Sequence, residues 1–230
     1  PMLDEVLPEV VKMWTEHPYP GFEGKYFSMP ERPVLPKPLQ DPHPPIWMAC
    51  TQPASFDLAA DFGIGVLAFG VGAPGKVVES LKRYKELIQA PSRQVGKFVN
   101  NAVAPATMMY CAEDSSEALE MGGVAALWYG AQTAKLFAPW AGKDVAGYEY
   151  YTNLVHDPEF VAQFLRPYEE RLQDEYSLIG TPDKVAEGVQ AYVDIGADQL
   201  ICMVQAGRIP HERIMASLRL FGEEVMPRFR

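Results

Sequence analysis

Short apolar runs alternate with amphipathic stretches along this chain. Four runs are apolar on both faces and predict buried strands, at residues 46–50, 64–69, 102–111 and 199–204. Between them, apolar residues at three- and four-residue spacing predict helices. A repeated order of strand and helix predicts parallel strands joined by right-handed crossovers.

Capping residues and prolines predict where the helices begin and end. The first helix ends near Glu16, and a proline-heavy passage over 18–45 predicts an extended surface loop. Pro105 predicts that the third strand starts late or carries a bulge. Later helices are predicted to begin at Asp114, Asp157, Thr181 and Pro210. The helix from Thr181 has a predicted inward face at Val185, Val189, Tyr192 and Val193, and the helix from Pro210 carries Ile214, Leu218, Phe221 and Val225.

Four strand–helix units are half of a (β/α)8 barrel. Since four parallel strands cannot close on themselves, two open edges are expected, and with them self-association. A small open α/β sheet is the alternative. In either case the length of 230 residues predicts a single domain, 1–230.

Composition narrows the classes of function. A net charge of −10 argues against nucleic-acid binding. No apolar run reaches the ~18 residues of a membrane span, and the first residues lack the features of a signal peptide. Three scattered cysteines fit a reducing cytoplasm, and the four histidines show no metal-ligand spacing, so no metal is expected.

The turn after the first predicted strand carries Thr51, Gln52 and Ser55, directly before a helix. Free amides at a helix start can bind an anion, and two hydroxyl groups would add donors. Thr51 or Ser55 could instead serve only as the cap of the helix. Both interpretations stay open on the residues alone.

Two further loops follow predicted strands. Gly72 lies in the glycine-rich segment 70–75, which is either a plain loop or a close approach to a ligand. Arg208 and His211 follow the last strand, where either could reach an anionic ligand, although His211 also fits the first turn of the closing helix. His43 precedes its strand and is interpreted as structural.

Aromatic residues are dense between Trp128 and Tyr151. They predict either the core of an added helical hairpin or a cover that keeps water from an apolar substrate. The set comprises Trp128, Tyr129, Phe137, Trp140, Tyr148, Tyr150 and Tyr151.

Several short motifs lie in a fixed order along nearly the whole chain. They are Met13-Trp14-Thr15-Glu16, Gly24-Lys25-Tyr26-Phe27, Leu35-Pro36-Lys37-Pro38-Leu39-Gln40, Pro42-His43-Pro44-Pro45-Ile46-Trp47, Ile179-Gly180-Thr181-Pro182, Gly196-Ala197-Asp198 and Ser217-Leu218-Arg219-Leu220-Phe221-Gly222. In their order and spacing, these motifs resemble those of the bacterial-luciferase-like flavin-dependent monooxygenases.

This resemblance implies a partial TIM barrel with strands five to eight, a helical insertion after the seventh, and no strands one to four. It implies reduced FMN and O2 acting on a small apolar substrate, with a separate flavin reductase, in a cytoplasmic homo-oligomer. The FMN phosphate would be bound at Thr51, Gln52 and Ser55, with Gly72 and Arg208 as further cofactor contacts. No catalytic residue can be named, because the ring-binding residues would lie upstream.

Three alternatives share this half of the fold. One is a deazaflavin (F420)-dependent oxidoreductase of the same superfamily. A second is a truncated, non-catalytic chain that binds flavin or a partner through open strand edges. A third is a simple truncation, which the DNA preceding Pro1 would reveal.

Overall fold

Strands and helices alternate along the chain, and they fall into two units. The computed structural model describes residues 1–69, 74–137, 149–154 and 177–229, with the single residues 139, 143, 156, 158 and 170. The first unit comprises Pro1–Leu67 and Arg83–Ala102, and the second comprises Ala68–Lys82 and Val103–Arg230. That residues 1–230 form a single domain stays a prediction.

The elements confirm the predicted order. The four predicted strands are present to within two residues at each end, and the helix predicted from Asp157 lies almost wholly outside the described residues. The strands are β1 (Phe22–Glu23), β2 (Ser28–Met29), β3 (Trp47–Cys50), β4 (Gly65–Phe69), β5 (Val103–Cys111), β6 (Leu178–Gly180) and β7 (Ile201–Met203). The helices are α1 (Met2–Thr15), α2 (Pro53–Phe62), α3 (Pro74–Leu87), α4 (Ser115–Ala118), α5 (Val124–Phe137), α6 (Glu149–Leu154), α7 (Pro182–Asp194) and α8 (His211–Leu220).

In the first unit, Glu5 of α1 holds the turn between β1 and β2. Its carboxylate accepts hydrogen bonds from the backbone N–H groups of Lys25, Tyr26 and Phe27 at 3.0, 2.8 and 3.2 Å. Burial opposes the charged form, but the three donors outweigh it and lower the pKa of Glu5. Gly24 is required beside this carboxylate, because a Cβ there would lie 2.2 Å from Glu5 Oε1.

One turn further along α1, buried Glu9 holds the start of the same passage. Its Oε2 accepts the hydroxyl of fully buried Tyr19 at 2.8 Å, and its Oε1 accepts Lys12 Nζ at 2.6 Å. Beyond the helix end, Lys37 Nζ donates to the carbonyl oxygens of Met13 and Glu16 at 2.7 and 2.5 Å. The predicted extended loop is therefore bonded to α1 at several points and contains the β1–β2 hairpin.

His43 is structural, as predicted. It is 2% exposed, and its ring lies 4.9 Å from that of Phe98 and 5.9 Å from that of Trp14. Nε2 accepts the N–H of Lys97 at 2.9 Å, so the proton must be on Nδ1, which donates to the Pro44 carbonyl at 2.7 Å. Both ring nitrogens are thereby used inside the unit.

The start of β3 is aligned with β4 by hydrogen bonds to Ile46. Its carbonyl oxygen accepts the Gly65 N–H and Asn100 Nδ2, both at 2.9 Å. The hydroxyl of buried Tyr84 donates to the Ile64 carbonyl at 2.9 Å and lies 3.2 Å from that of Asn100. These bonds fix where β3 runs and hence where its carboxyl end lies.

In the second unit, β5 pairs in parallel with two strands in succession. Ala106–Met108 faces Ile201–Met203 of β7, and Met109–Cys111 faces Leu178–Gly180 of β6. Before these ladders, Asp198 Oδ2 accepts the Val103 N–H at 2.8 Å. Pro105, whose nitrogen has no proton to donate, lies between the bonded segments. The strand begins at Val103, so of the two predicted alternatives, a late start and a bulge, the late start is wrong.

Side chains on both faces of β5 are buried. One face packs with α7 and the chain end, and the other with α4 and the π-turn (Leu119–Gly123) that joins α4 to α5. The first group includes Met109, Leu178, Val185, Tyr192 and Val225, and the second includes Tyr110, Ala118 and Ile179.

Two details differ from the sequence prediction. Strand β6 is absent from it, because three residues are too short to show a period. Val193 is predicted to face inward but is 47% exposed. It lies next to buried Tyr192, so the apolar stripe of α7 is narrower than the sequence pattern.

Replacing Gly24 with Ala should destabilise the first unit. The new methyl group would push the Glu5 carboxylate and the Phe22 ring, 2.3 Å away, from their positions. We expect a loss of about 1–3 kcal/mol in the free energy of unfolding and faster hydrogen exchange at Lys25, Tyr26 and Phe27. Gly130→Ala is the control, because a Cβ there meets nothing within 4 Å, and it should stabilise by about 0.5–1 kcal/mol. Equal behaviour of the two variants would contradict the assigned contact.

Tyr19 should make stability depend on alkaline pH. Burial, reinforced by the hydrogen bond to Glu9, raises the pKa of Tyr19 from 10.0 to about 12. Its contribution is thus present below pH 10 and is lost as the pH rises through 12. Tyr19→Phe should lower the free energy of unfolding by about 1–3 kcal/mol at neutral pH. Urea unfolding at a series of pH values should then show a smaller loss of stability at alkaline pH than in the wild type. Tyr26→Phe, at an exposed residue, should change neither the stability at neutral pH nor its alkaline loss.

Candidate functional site

The candidate anion site is the turn between β3 and α2 in the first unit. It contains Thr51, Gln52 and Ser55, which the structure brings together within five residues at the carboxyl end of β3. Gln52 occupies the N-cap position with extended backbone, φ −127° and ψ 148°, and makes no side-chain capping bond. Pro53 begins the helix, as its fixed φ favours.

Ser55 does not occupy the cap position. Its hydroxyl donates to the Gln52 carbonyl at 2.6 Å, and its N–H lies 2.9 Å from the same oxygen. By contrast, Asp114 and Thr181 cap α4 and α7 with their side chains. The start of α2 is therefore held by the two bonds from Ser55 to the Gln52 carbonyl. The side chain of Gln52 does not cap the helix.

The charge around this turn suits an anion. The first turn of α2 contains no acidic residue. The first carboxylate along the helix, Asp57, is paired with Arg83 at 2.7 Å. Amide dipoles at the helix start add positive potential.

Behind the turn, Cys50 ends β3 and is fully buried. Burial raises the pKa of its thiol to about 11, against a smaller opposing effect of the hydrogen bond with Ser55. Burial likewise raises the pKa of Cys111 to about 11 and that of Cys202. All three cysteines are free thiols, and at neutral pH they are protonated and poor nucleophiles.

Two further cofactor residues, Gly72 and Arg208, are predicted from the sequence. Gly72 falls in 70–73, outside the described residues. Arg208 lies in the second unit, in an exposed turn after β7 in which Gly207 has φ +62°. His211 is the exposed first residue of α8, as its alternative interpretation predicted. Within the first unit, the structure brings together Thr51, Gln52 and Ser55.

Only part of the aromatic segment is described. Trp128 is 49% exposed on α5, and Tyr129 makes an edge contact with Phe69 at 6.4 Å between ring centroids. Trp140 and Tyr148 lie outside the described residues. Sequence reasoning missed Phe69, although its place as the last residue of an apolar strand was a usable signal.

Metal ligands and membrane spans were also sought. Within the described ranges, no group of three or more His, Cys, Asp and Glu side chains could hold a metal ion. No helix in that part of the chain is long and apolar enough to cross a membrane.

Similarity to known proteins is extensive. Residues 1–199 match the luciferase-like monooxygenase family. The chain is 24% identical to the oxygenase component of a flavin-dependent trigonelline monooxygenase from Acinetobacter baylyi, over 99% of this chain and 59% of that protein. It thus spans about three fifths of the length of this curated relative.

Solved structures share the fold. The monooxygenase RslO1 from Streptomyces bottropensis matches with a TM-score of 0.67 and 25% identity, over 99% of this chain and 60% of that one. The F420-dependent tetrahydromethanopterin reductase from Methanopyrus kandleri matches with a TM-score of 0.61 and 18% identity, over 99% of this chain and 63% of that one. The oxygenating constituent of 3,6-diketocamphane monooxygenase from Pseudomonas putida, solved with FMN, matches with a TM-score of 0.58 and 19% identity, over 97% of this chain and 60% of that one.

These matches confirm the predicted fold class, an α/β fold with parallel strands that corresponds to part of a luciferase-like barrel. Together with the family match over residues 1–199, they mean that this chain belongs to the luciferase-like monooxygenase family.

Proposed function

We propose that this chain is part of a flavin-dependent monooxygenase that uses reduced FMN and O2 on a small apolar substrate. The observation that carries the proposal is the match to the family over residues 1–199, with a curated relative that is itself a flavin-dependent oxygenase component. A separate flavin reductase would then supply the reduced cofactor. No catalytic residue is assigned.

The β3–α2 turn fits the phosphate of FMN. It lacks an acidic side chain in the first helical turn, Ala54 is small and exposed, and the start of a helix carries positive potential. Thr51, Gln52 and Ser55 would bind the phosphate, while Gly72 and Arg208 would provide further contacts. When bound, reduced flavin would activate O2 for transfer of one oxygen atom to the substrate.

The remaining contribution of the chain would be to position the cofactor and to shield the reaction from water. The bonds of Ile46 fix β3, so the turn at its end is preorganised and need not be ordered by the ligand. Buried, protonated thiols do not compete as nucleophiles. The aromatic segment from Trp128 onward would help to exclude water, which such chemistry requires.

An F420-dependent oxidoreductase is the second candidate, favoured by the match to the F420-dependent reductase. A non-catalytic chain that binds flavin or a partner is the third. We further propose a cytoplasmic homo-oligomer, in which the free thiols stay reduced.

Titration with oxidised FMN and with F420 distinguishes these candidates. We expect saturable quenching of flavin fluorescence by the chain with FMN, and at least tenfold weaker binding of F420, since about 1.4 kcal/mol of selective contact suffices for that ratio. Preference for F420 would favour the second candidate. No saturable binding of either would favour the form of the third candidate that acts only by binding a partner.

Ser55→Glu should weaken FMN binding by about tenfold or more, because a carboxylate would face the phosphate at short range. The measurement is the FMN dissociation constant by fluorescence titration. Ser116→Glu is the matched control, since it adds the same charge in the exposed first turn of α4. Equal affinity in wild type and Ser55→Glu would remove the phosphate assignment.

A further inference from the structure

In the second unit, α5 lies over the carboxyl ends of strands. Phe69, the last residue of β4, contacts Tyr129 of α5 edge-on at 6.4 Å. The turn after β7 reaches the same helix, because a Cβ on Gly207 would lie 3.6 Å from Ala125 Cα and 3.9 Å from Trp128 Cδ2. Helix α5 therefore contacts both the end of β4 and the turn that follows β7.

The π-turn before α5 brings the helix to this position. Gly122 in that turn packs directly on β5, since a Cβ there would lie 2.4 Å from Tyr110 Cβ. A π-turn carries one residue more per turn than the flanking α-helix and so changes which side chains face the strands. The result is that Tyr129 turns toward Phe69 and Trp128 lies beside the Gly207 turn.

Aromatic surface is left accessible there. Trp128 is 49% exposed. Phe69 and Tyr129 are half-buried. Large apolar side chains that stay open at the carboxyl ends of strands suit a ligand, because ligands of parallel α/β folds bind at this edge.

We propose that Phe69, Trp128 and Tyr129 form an aromatic wall that holds the flat apolar ring of a small-molecule substrate, with Trp128 as the stacking face. The proposal rests on the proposed function and adds the substrate class to it. Phe69 and Tyr129 pack edge-on against each other, and the indole of Trp128 beside them is 49% exposed. A bound ring would pack on that indole in an offset or edge-to-face arrangement.

A small ring fits this wall better than a protein partner does. Tyr129 contacts Phe69 at the end of β4, and Trp128 lies beside the Gly207 turn, so the accessible surface is bounded on two sides.

The test uses indole as the ring probe and cyclohexanol as the saturated control, with ligand-observed NMR on the whole chain. Trp128→Ala should weaken indole binding about three- to tenfold, as expected for one lost aromatic pair, and leave cyclohexanol unchanged. Trp128→Phe should restore most of the indole affinity, whereas Trp128→Leu should not. Leu136→Ala, at a residue 70% exposed on the same helix, is the matched control and should have no effect.

Other outcomes overturn the wall. One is unchanged indole binding in Trp128→Ala, and another is an equal loss of indole affinity in Leu136→Ala. A third is a fall in FMN affinity, but not in indole affinity, in Trp128→Ala, which would assign Trp128 to the cofactor. A change of molecular mass by light scattering in Trp128→Ala, with indole binding intact, would assign the surface to a second copy. Wild type that binds indole through Trp128 but binds neither FMN nor F420 would instead remove the proposed function and leave the wall in place.

Discussion

The position of the candidate phosphate turn depends on the carbonyl oxygen of Ile46. This atom accepts hydrogen bonds from Gly65 and from the side chain of Asn100. Strand β3 is only four residues long and pairs with β4, so these bonds set its register from its first residues. The register in turn places Cys50 and the turn that follows it.

A second constraint comes from carboxylates on one face of α1. Glu5 and Glu9 stand one helical turn apart, so both point to the same side, and each accepts hydrogen bonds from the long passage that follows the helix. Lys37 completes the contact at the helix end by donating to carbonyl groups that the helix leaves unpaired. The passage after α1 is therefore a fixed part of the first unit. The Gly24-Lys25-Tyr26-Phe27 motif supplies the backbone N–H groups that bind Glu5.

Much of this fold follows from the sequence, and the exceptions have physical reasons. Apolar runs locate β3, β4, β5 and β7, and Thr181 with Pro182 locates the start of α7, because local chemistry decides them. The contacts of Glu5 join residues about 20 apart, which no local pattern contains. The π-turn is similarly hidden, since its glycines read as ordinary helix until Tyr110 is seen against Gly122. At the candidate site, residue types indicated the turn, but only coordinates show that Gln52 occupies the cap position.

The extra residue in the π-turn also bears on how members of this family could diverge. Loss of a single residue between Leu119 and Gly123 would leave a regular helix and rotate every later side chain of α5 by about 100° about its axis. An altered set of side chains would then face Phe69 and Gly207 without any substitution among them. Insertions and deletions at this joint, more than point changes in the helix, would be an economical route to new ligand preferences.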